Sequence, residues 1–113
     1  MAASLLNLLG GAVTAGLGAM ALLRPALAAA FTGIRPEGAT GVAEIRATYG
    51  GFFLVLGAFV LVTRSDVACT VVGAAWLGAA AGRALSVAVD RGTAPRNLLA
   101  IAFEAGIGGL LLA

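Results

Sequence analysis

Glu44, Arg46, Arg83, Asp90 and Glu104 lie inside or at the rims of stretches otherwise apolar enough to cross a bilayer. A carboxyl group there can hold or release a proton, and a guanidinium can orient or stabilise an anion. A charge in hydrocarbon costs roughly 2.5–3.5 kcal/mol on insertion scales, so such residues are generally paired, turned inward and kept for a purpose. Tyr49, Trp76, Ser86 and Asn97 fall in the same half of the membrane and add hydrogen-bonding groups.

Helical spacing sorts these groups into faces. Glu44 and Arg46 are about 200° apart on a helix, so one faces the bundle and the other a neighbouring helix or the headgroups. Trp76, Arg83 and Asp90 recur at intervals of seven on one stripe, with Ser86 beside them. Asn97 and Glu104 are also seven apart. Glu104 lies about 12 Å beyond Arg96 by helical rise, too deep to snorkel easily. Arg83 and Glu104 are therefore expected to face one another.

Two readings follow. In one, the charges form an interhelical ion-pair network, Glu104 with Arg83 and Arg46 with Glu44 or Asp90, that fixes packing. In the other they line a pocket. Glu104 or Glu44 would then act as proton donor or base, Arg83 and Arg46 would orient or stabilise an anion, and Tyr49 would donate a hydrogen bond. Trp76, Ser86, Asp90 and Asn97 would complete the binding surface.

Composition excludes much else. The chain is 61% hydrophobic and 11% charged, against about a quarter charged in soluble domains, so it belongs in a membrane. With no histidine and one cysteine, Cys69, it offers no disulfide framework, no zinc site and no histidine-ligated haem; no metal or other cofactor is expected. The net charge of +2 comes from dispersed arginines without interleaved aromatics, which argues against nucleic acid. The expected partners are the lipid bilayer, a lipophilic small molecule and further copies of the chain. Copies would meet through small residues spaced by four: Gly11/Ala15/Ala19, Ala74/Gly78/Gly82 and Ala102/Gly106.

The fold expected is all-α, a single membrane domain over 1–113 with four antiparallel transmembrane helices at about 2–23, 43–62, 67–89 and 96–113. Ala26-Leu27-Ala28 imitates a signal-peptidase site, but no basic segment precedes the first apolar run, so that run is read as a retained span. Ala26–Phe31 reads as a short interfacial or re-entrant helix within a loop broken by Gly33, Pro36, Gly38 and Gly41. Arg24, Arg35, Arg91 and Arg96 gather on one side, opposite both termini and Arg64. The positive-inside rule makes that side cytoplasmic and places both termini outside, for a multi-pass protein of the cell inner membrane.

The string Glu44-x-Arg46-Ala47-x-Tyr49-Gly50-Gly51, then Gly82-Arg83-x-x-Ser86-x-x-x-Asp90, then Glu104, resembles a widespread bacterial family of small four-helix membrane proteins of unknown function, similar in architecture to DoxX-like proteins. The resemblance implies a four-helix bundle with these residues at its polar centre, and it supplies no substrate. The residues themselves favour a cofactor-free acid/base enzyme of isomerase, cyclase or epoxide-opening type acting on a lipophilic molecule. The alternative is a non-catalytic accessory subunit or lipid-binding scaffold of a membrane complex. A small transporter ranks last, because the first helix carries no charge.

Overall fold

The computed structural model describes residues 3–113. Helices α1 (Leu5–Leu23), α2 (Pro25–Thr32), α3 (Gly38–Ile45), α4 (Phe52–Thr63), α5 (Asp66–Val89) and α6 (Pro95–Leu112) make up the fold. Six π-helical residues, Arg46–Gly51, join α3 and α4 into one continuous run. Four of these runs are long and apolar enough to cross a membrane: Leu5–Leu23, Gly38–Thr63, Asp66–Val89 and Pro95–Leu112. The start expected for the first span, residue 2, lies outside the described residues. The second run begins at Gly38, ahead of the expected position 43. Gly38 opens it with a φ of 61°, a left-handed backbone that glycine adopts without strain, so a residue read as a breaker marks a start.

Local signals set the other boundaries. Ser4 caps α1 through a reciprocal box, accepting from the Asn7 N–H while its own N–H donates to Asn7 Oδ1. Ser65 caps α5 by accepting from the Ala68 N–H. Pro25 and Pro95 open α2 and α6, where a missing N–H costs nothing.

Consecutive spans run antiparallel. Gly11 meets Val60 and Gly18 meets Leu54, which sets α1 against α4; Gly73 meets Gly108, which sets α5 against α6. The α1–α4 approach is backbone to backbone. A methyl group on Gly57 would lie 2.2 Å from the Ala15 nitrogen, and one on Gly18 equally close to the Leu54 nitrogen. Asn7 closes the bundle: its Nδ2 donates to the Leu110 and Leu111 carbonyls, which the end of α6 leaves without helical partners. The Ala3 N–H donates to the Arg64 carbonyl, so the start of α1, the end of α6 and the α4–α5 turn meet at one end.

The small-residue stripes divide. Gly11 and Ala15 do sit in a close contact, but Gly78, Gly82 and Gly106 have nothing within 4 Å and face outward. The close α5–α6 contact uses Gly73 and Gly108 instead, because these share the inward stripe of Trp76 on α5 and Glu104 on α6.

Val60, Cys69, Val72, Trp76, Ile107 and Leu111 form the main core near the terminal end, while Ala21, Ala28 and Ile45 form a smaller one where α2 folds under α1. At most 33% of any span is buried, and large apolar side chains such as Leu5, Val62, Val67 and Leu99 point outward. Such a surface is stable only against lipid, and the hydrogen bonds of each span are satisfied within its helix. The chain is a multi-pass membrane protein.

Candidate functional site

The two halves of the bundle do not fill the space between them at the end away from the termini. A cavity of about 590 Å³ remains there, within the range of small-molecule sites, about 300–1,000 Å³. Leu17, Met20 and Ala21 of α1 form one side, and Ala28, Phe31 and Thr32 of α2 form another. Tyr49 of the π segment and Phe53 of α4 face Trp76 and Arg83 of α5. From α6 come Arg96, Leu99, Ala100, Phe103 and Glu104.

Three aromatic rings build the floor. Phe53 meets Trp76 edge-on at 5.2 Å between centroids, and Tyr49 meets Phe53 in the same way at 5.8 Å. Trp76 is locked by its indole N–H, which donates to Thr14 Oγ1 at 2.9 Å. Thr14 in turn donates to the Gly10 carbonyl at 2.8 Å, so both polar groups are satisfied inside the bundle. Thr14 is 1% exposed and escaped the reading of the sequence. A hydroxyl in the middle of the first apolar run was the signal available.

The inward stripe of α5 through Cys69, Trp76 and Ala80 carries Arg83 to the cavity wall, and the stripe of α6 through Leu111 and Gly108 carries Glu104. The two meet as expected: Arg83 Nε donates to Glu104 Oε1 at 2.8 Å. Arg83 Nη1 also donates to Asn97 Oδ1 at 3.2 Å, and Asn97 Nδ2 donates to the Gly92 carbonyl. The guanidinium is thus held by a carboxylate on one side and by an amide braced against the α5–α6 turn on the other. Glu104 Oε2 and the Tyr49 hydroxyl make no hydrogen bond to another described residue, although both residues line the cavity. Glu104 is 9% exposed.

The remaining sequence candidates stand apart. Ser86 Oγ donates to Asp90 Oδ2 at 2.9 Å at the C-terminal end of α5, outside the cavity lining. Glu44 is exposed and pairs with no described residue. Arg46 is also exposed, and its Nη1 donates to the Leu22 carbonyl. The pairing expected for Arg46, with Glu44 or Asp90, is therefore replaced by a cap on α1. The Leu22 carbonyl is among the four that the end of α1 leaves open, and a cation there complements the helix dipole. The seven-residue stripe fails at Asp90 because α5 ends at Val89.

Phe31, Phe103 and Arg96 are among the lining residues that were not singled out from the sequence. Phe31 of α2 and Phe103 of α6 stack edge to face at 6.4 Å, and both are exposed. Arg96, read only as a topology charge, stands at the mouth. A single phenylalanine in each of two largely aliphatic helices gives no spacing signal until α2 is placed against α6.

A family model described as a domain of unknown function, DUF4345, matches residues 2–113. The chain belongs to that family. No curated protein and no solved structure matches it. The site of this DUF4345 chain is an apolar chamber whose lining includes one carboxylate, Glu104, one phenol, Tyr49, and the guanidinium groups of Arg83 and Arg96.

Proposed function

We propose that the chamber binds a lipophilic small molecule and that Glu104, held in place by Arg83, exchanges a proton with the bound molecule in a cofactor-independent reaction. One observation carries this reading: a cavity of about 590 Å³, apolar on most of its surface, whose wall contains Tyr49, Arg83 and Glu104. A purely structural ion pair needs no such space beside it. Arg83 engages Oε1 of Glu104 and leaves Oε2 to meet a substrate, and Tyr49 is placed to donate to an oxygen on that substrate. Isomerisation needs a proton delivered at one atom and removed at another. In cyclisation or epoxide opening, a group within the substrate, or water, forms the new bond as the protonated group leaves. In each, the site supplies the proton transfer and stabilises the developing charge. Glu44, Arg46, Ser86 and Asp90 have no part in this mechanism, while Asn97 positions Arg83. The arginines at Arg24, Arg35, Arg91 and Arg96 support a cytoplasmic chamber in the inner membrane with both termini outside.

The test is to purify the protein in mild detergent and identify co-purifying lipophiles by mass spectrometry. The wild type should retain a defined species that Ala100→Phe, which fills the chamber, loses. An identical lipid complement in the two proteins would overturn the reading. Glu104→Gln should keep the ligand and stop turnover.

A second reading, an accessory or scaffold role, is favoured by the outward faces of Gly78, Gly82 and Gly106, which are smooth enough for another helix to approach. Native mass spectrometry from nanodiscs would reveal the dimer or hetero-complex that this reading requires.

A further inference from the structure

Arg96 has a place in the site that topology does not explain. It lines the central chamber and also the adjoining groove formed by Gly33, Ile34, Arg35 and Pro36 after α2. Its guanidinium lies against Gly33, where a methyl group would come within 2.6 Å of Nη1. Gly33 ends α2 in a left-handed conformation, which turns the chain away and leaves room for the arginine. No carbonyl of α2 accepts a hydrogen bond from Arg96, and no acid among the described residues pairs with it.

The charges of the chamber do not balance. Two arginines, Arg83 and Arg96, line it against one acid, Glu104, leaving one positive charge; the adjoining groove adds Arg35 and no acid. Since Arg83 is already paired, the uncompensated charge belongs to the mouth. Below it the wall is apolar, with Phe31, Leu99 and Phe103. A molecule complementary to this surface carries a hydrocarbon body and a negative head.

Resting on the binding reading above, we propose that the ligand is an anionic amphiphile, with its carboxylate or phosphate head on Arg96 and its hydrocarbon chain in the chamber. The planar guanidinium matches either head through paired N–H···O bonds. This places the head at the mouth and the chain toward Glu104. The reacting part of such a molecule would then lie along its body, away from its acidic group.

Oleate and oleyl alcohol, which share a chain and differ in the head, are titrated into protein in phosphatidylcholine nanodiscs. Oleate should bind about tenfold more tightly, the scale of a hydrogen bond to a charged group. Arg96→Gln should abolish that preference, and Arg96→Glu should reverse it; both changes are at an exposed position. Equal affinity of the wild type for acid and alcohol, or a preference that survives in Arg96→Gln, would overturn the proposal while leaving the chamber as a binding site. Failure of both probes to bind, or binding of both that is unaffected by Ala100→Phe, would instead sink the binding reading and this proposal with it. Repeating the titration in phosphatidylglycerol nanodiscs distinguishes the source of the head. Weakened oleate binding assigns Arg96 to an anionic phospholipid, and unchanged binding assigns it to a free acid; both support the anion site.

Discussion

Arg83 sits between two acceptors while a third of its side chain, 33%, remains accessible; its partner Glu104 keeps only 12%. The carboxylate is therefore the deeper of the two charges and depends more on the pairing. Removing one member of a buried ion pair typically costs about 3–5 kcal/mol, because the other charge is stranded. Arg83→Ala and Glu104→Ala should each lower the unfolding temperature in detergent, and the double variant Arg83→Leu/Glu104→Leu should recover most of the loss. A double variant that is folded but has lost its ligand assigns the charges to binding; one that is folded and fully active assigns them to packing. Asn97→Ala should weaken the site more mildly, since Glu104 still holds the guanidinium. The facing of Arg83 and Glu104 was readable from spacing, because a seven-residue interval persists along an unbroken helix. The roles of Glu44 and Arg46 were not, because two residues on one helix say nothing of what a neighbouring helix end offers them.

The α1–α4 interface shows how closely two helices approach when glycine removes the side chains between them. Gly57→Ala should lower thermal stability markedly, since its methyl group would meet the Ala15 backbone, which cannot move aside. Gly78→Ala faces open space and should be neutral or stabilising by up to about 1 kcal/mol through helix propensity. A differential unfolding experiment on the two variants checks both, and equal effects would contradict the packing. Element identity was readable in the sequence because apolar runs of membrane length have few alternatives. The choice among small-residue stripes was not. Gly73 and Gly78 look alike in composition, and only the rotation of α5, fixed by Trp76 and Arg83 pointing inward, separates the packed from the bare. The π segment was equally invisible, yet it places Tyr49 and Phe53 along one wall of the chamber. A π turn at a functional wall is a common use of that geometry.

The whole molecule is knit at one end and open at the other. At the knit end Asn7 grips the last turn of α6 and Ala3 is tied to Arg64, while the chamber occupies the opposite half. If the arginine-rich end is cytoplasmic, Thr63→Cys should react with a membrane-impermeant maleimide in intact cells and Thr93→Cys should not, with Cys69 replaced by serine in both. The reverse labelling pattern would invert the topology without disturbing the fold.

The Phe31–Phe103 stack has one further consequence. Both rings line the chamber and both are exposed on the outer surface of the bundle, so a guest of the kind proposed would enter sideways, out of the membrane between α2 and α6. Its supply is then set by its mole fraction in the lipid. Diluting the buffer around proteoliposomes at a fixed guest-to-lipid ratio should leave occupancy unchanged, whereas fusing them with guest-free vesicles should empty the site. On the binding reading, the bilayer is both the solvent that holds the fold and the reservoir from which the chamber would fill.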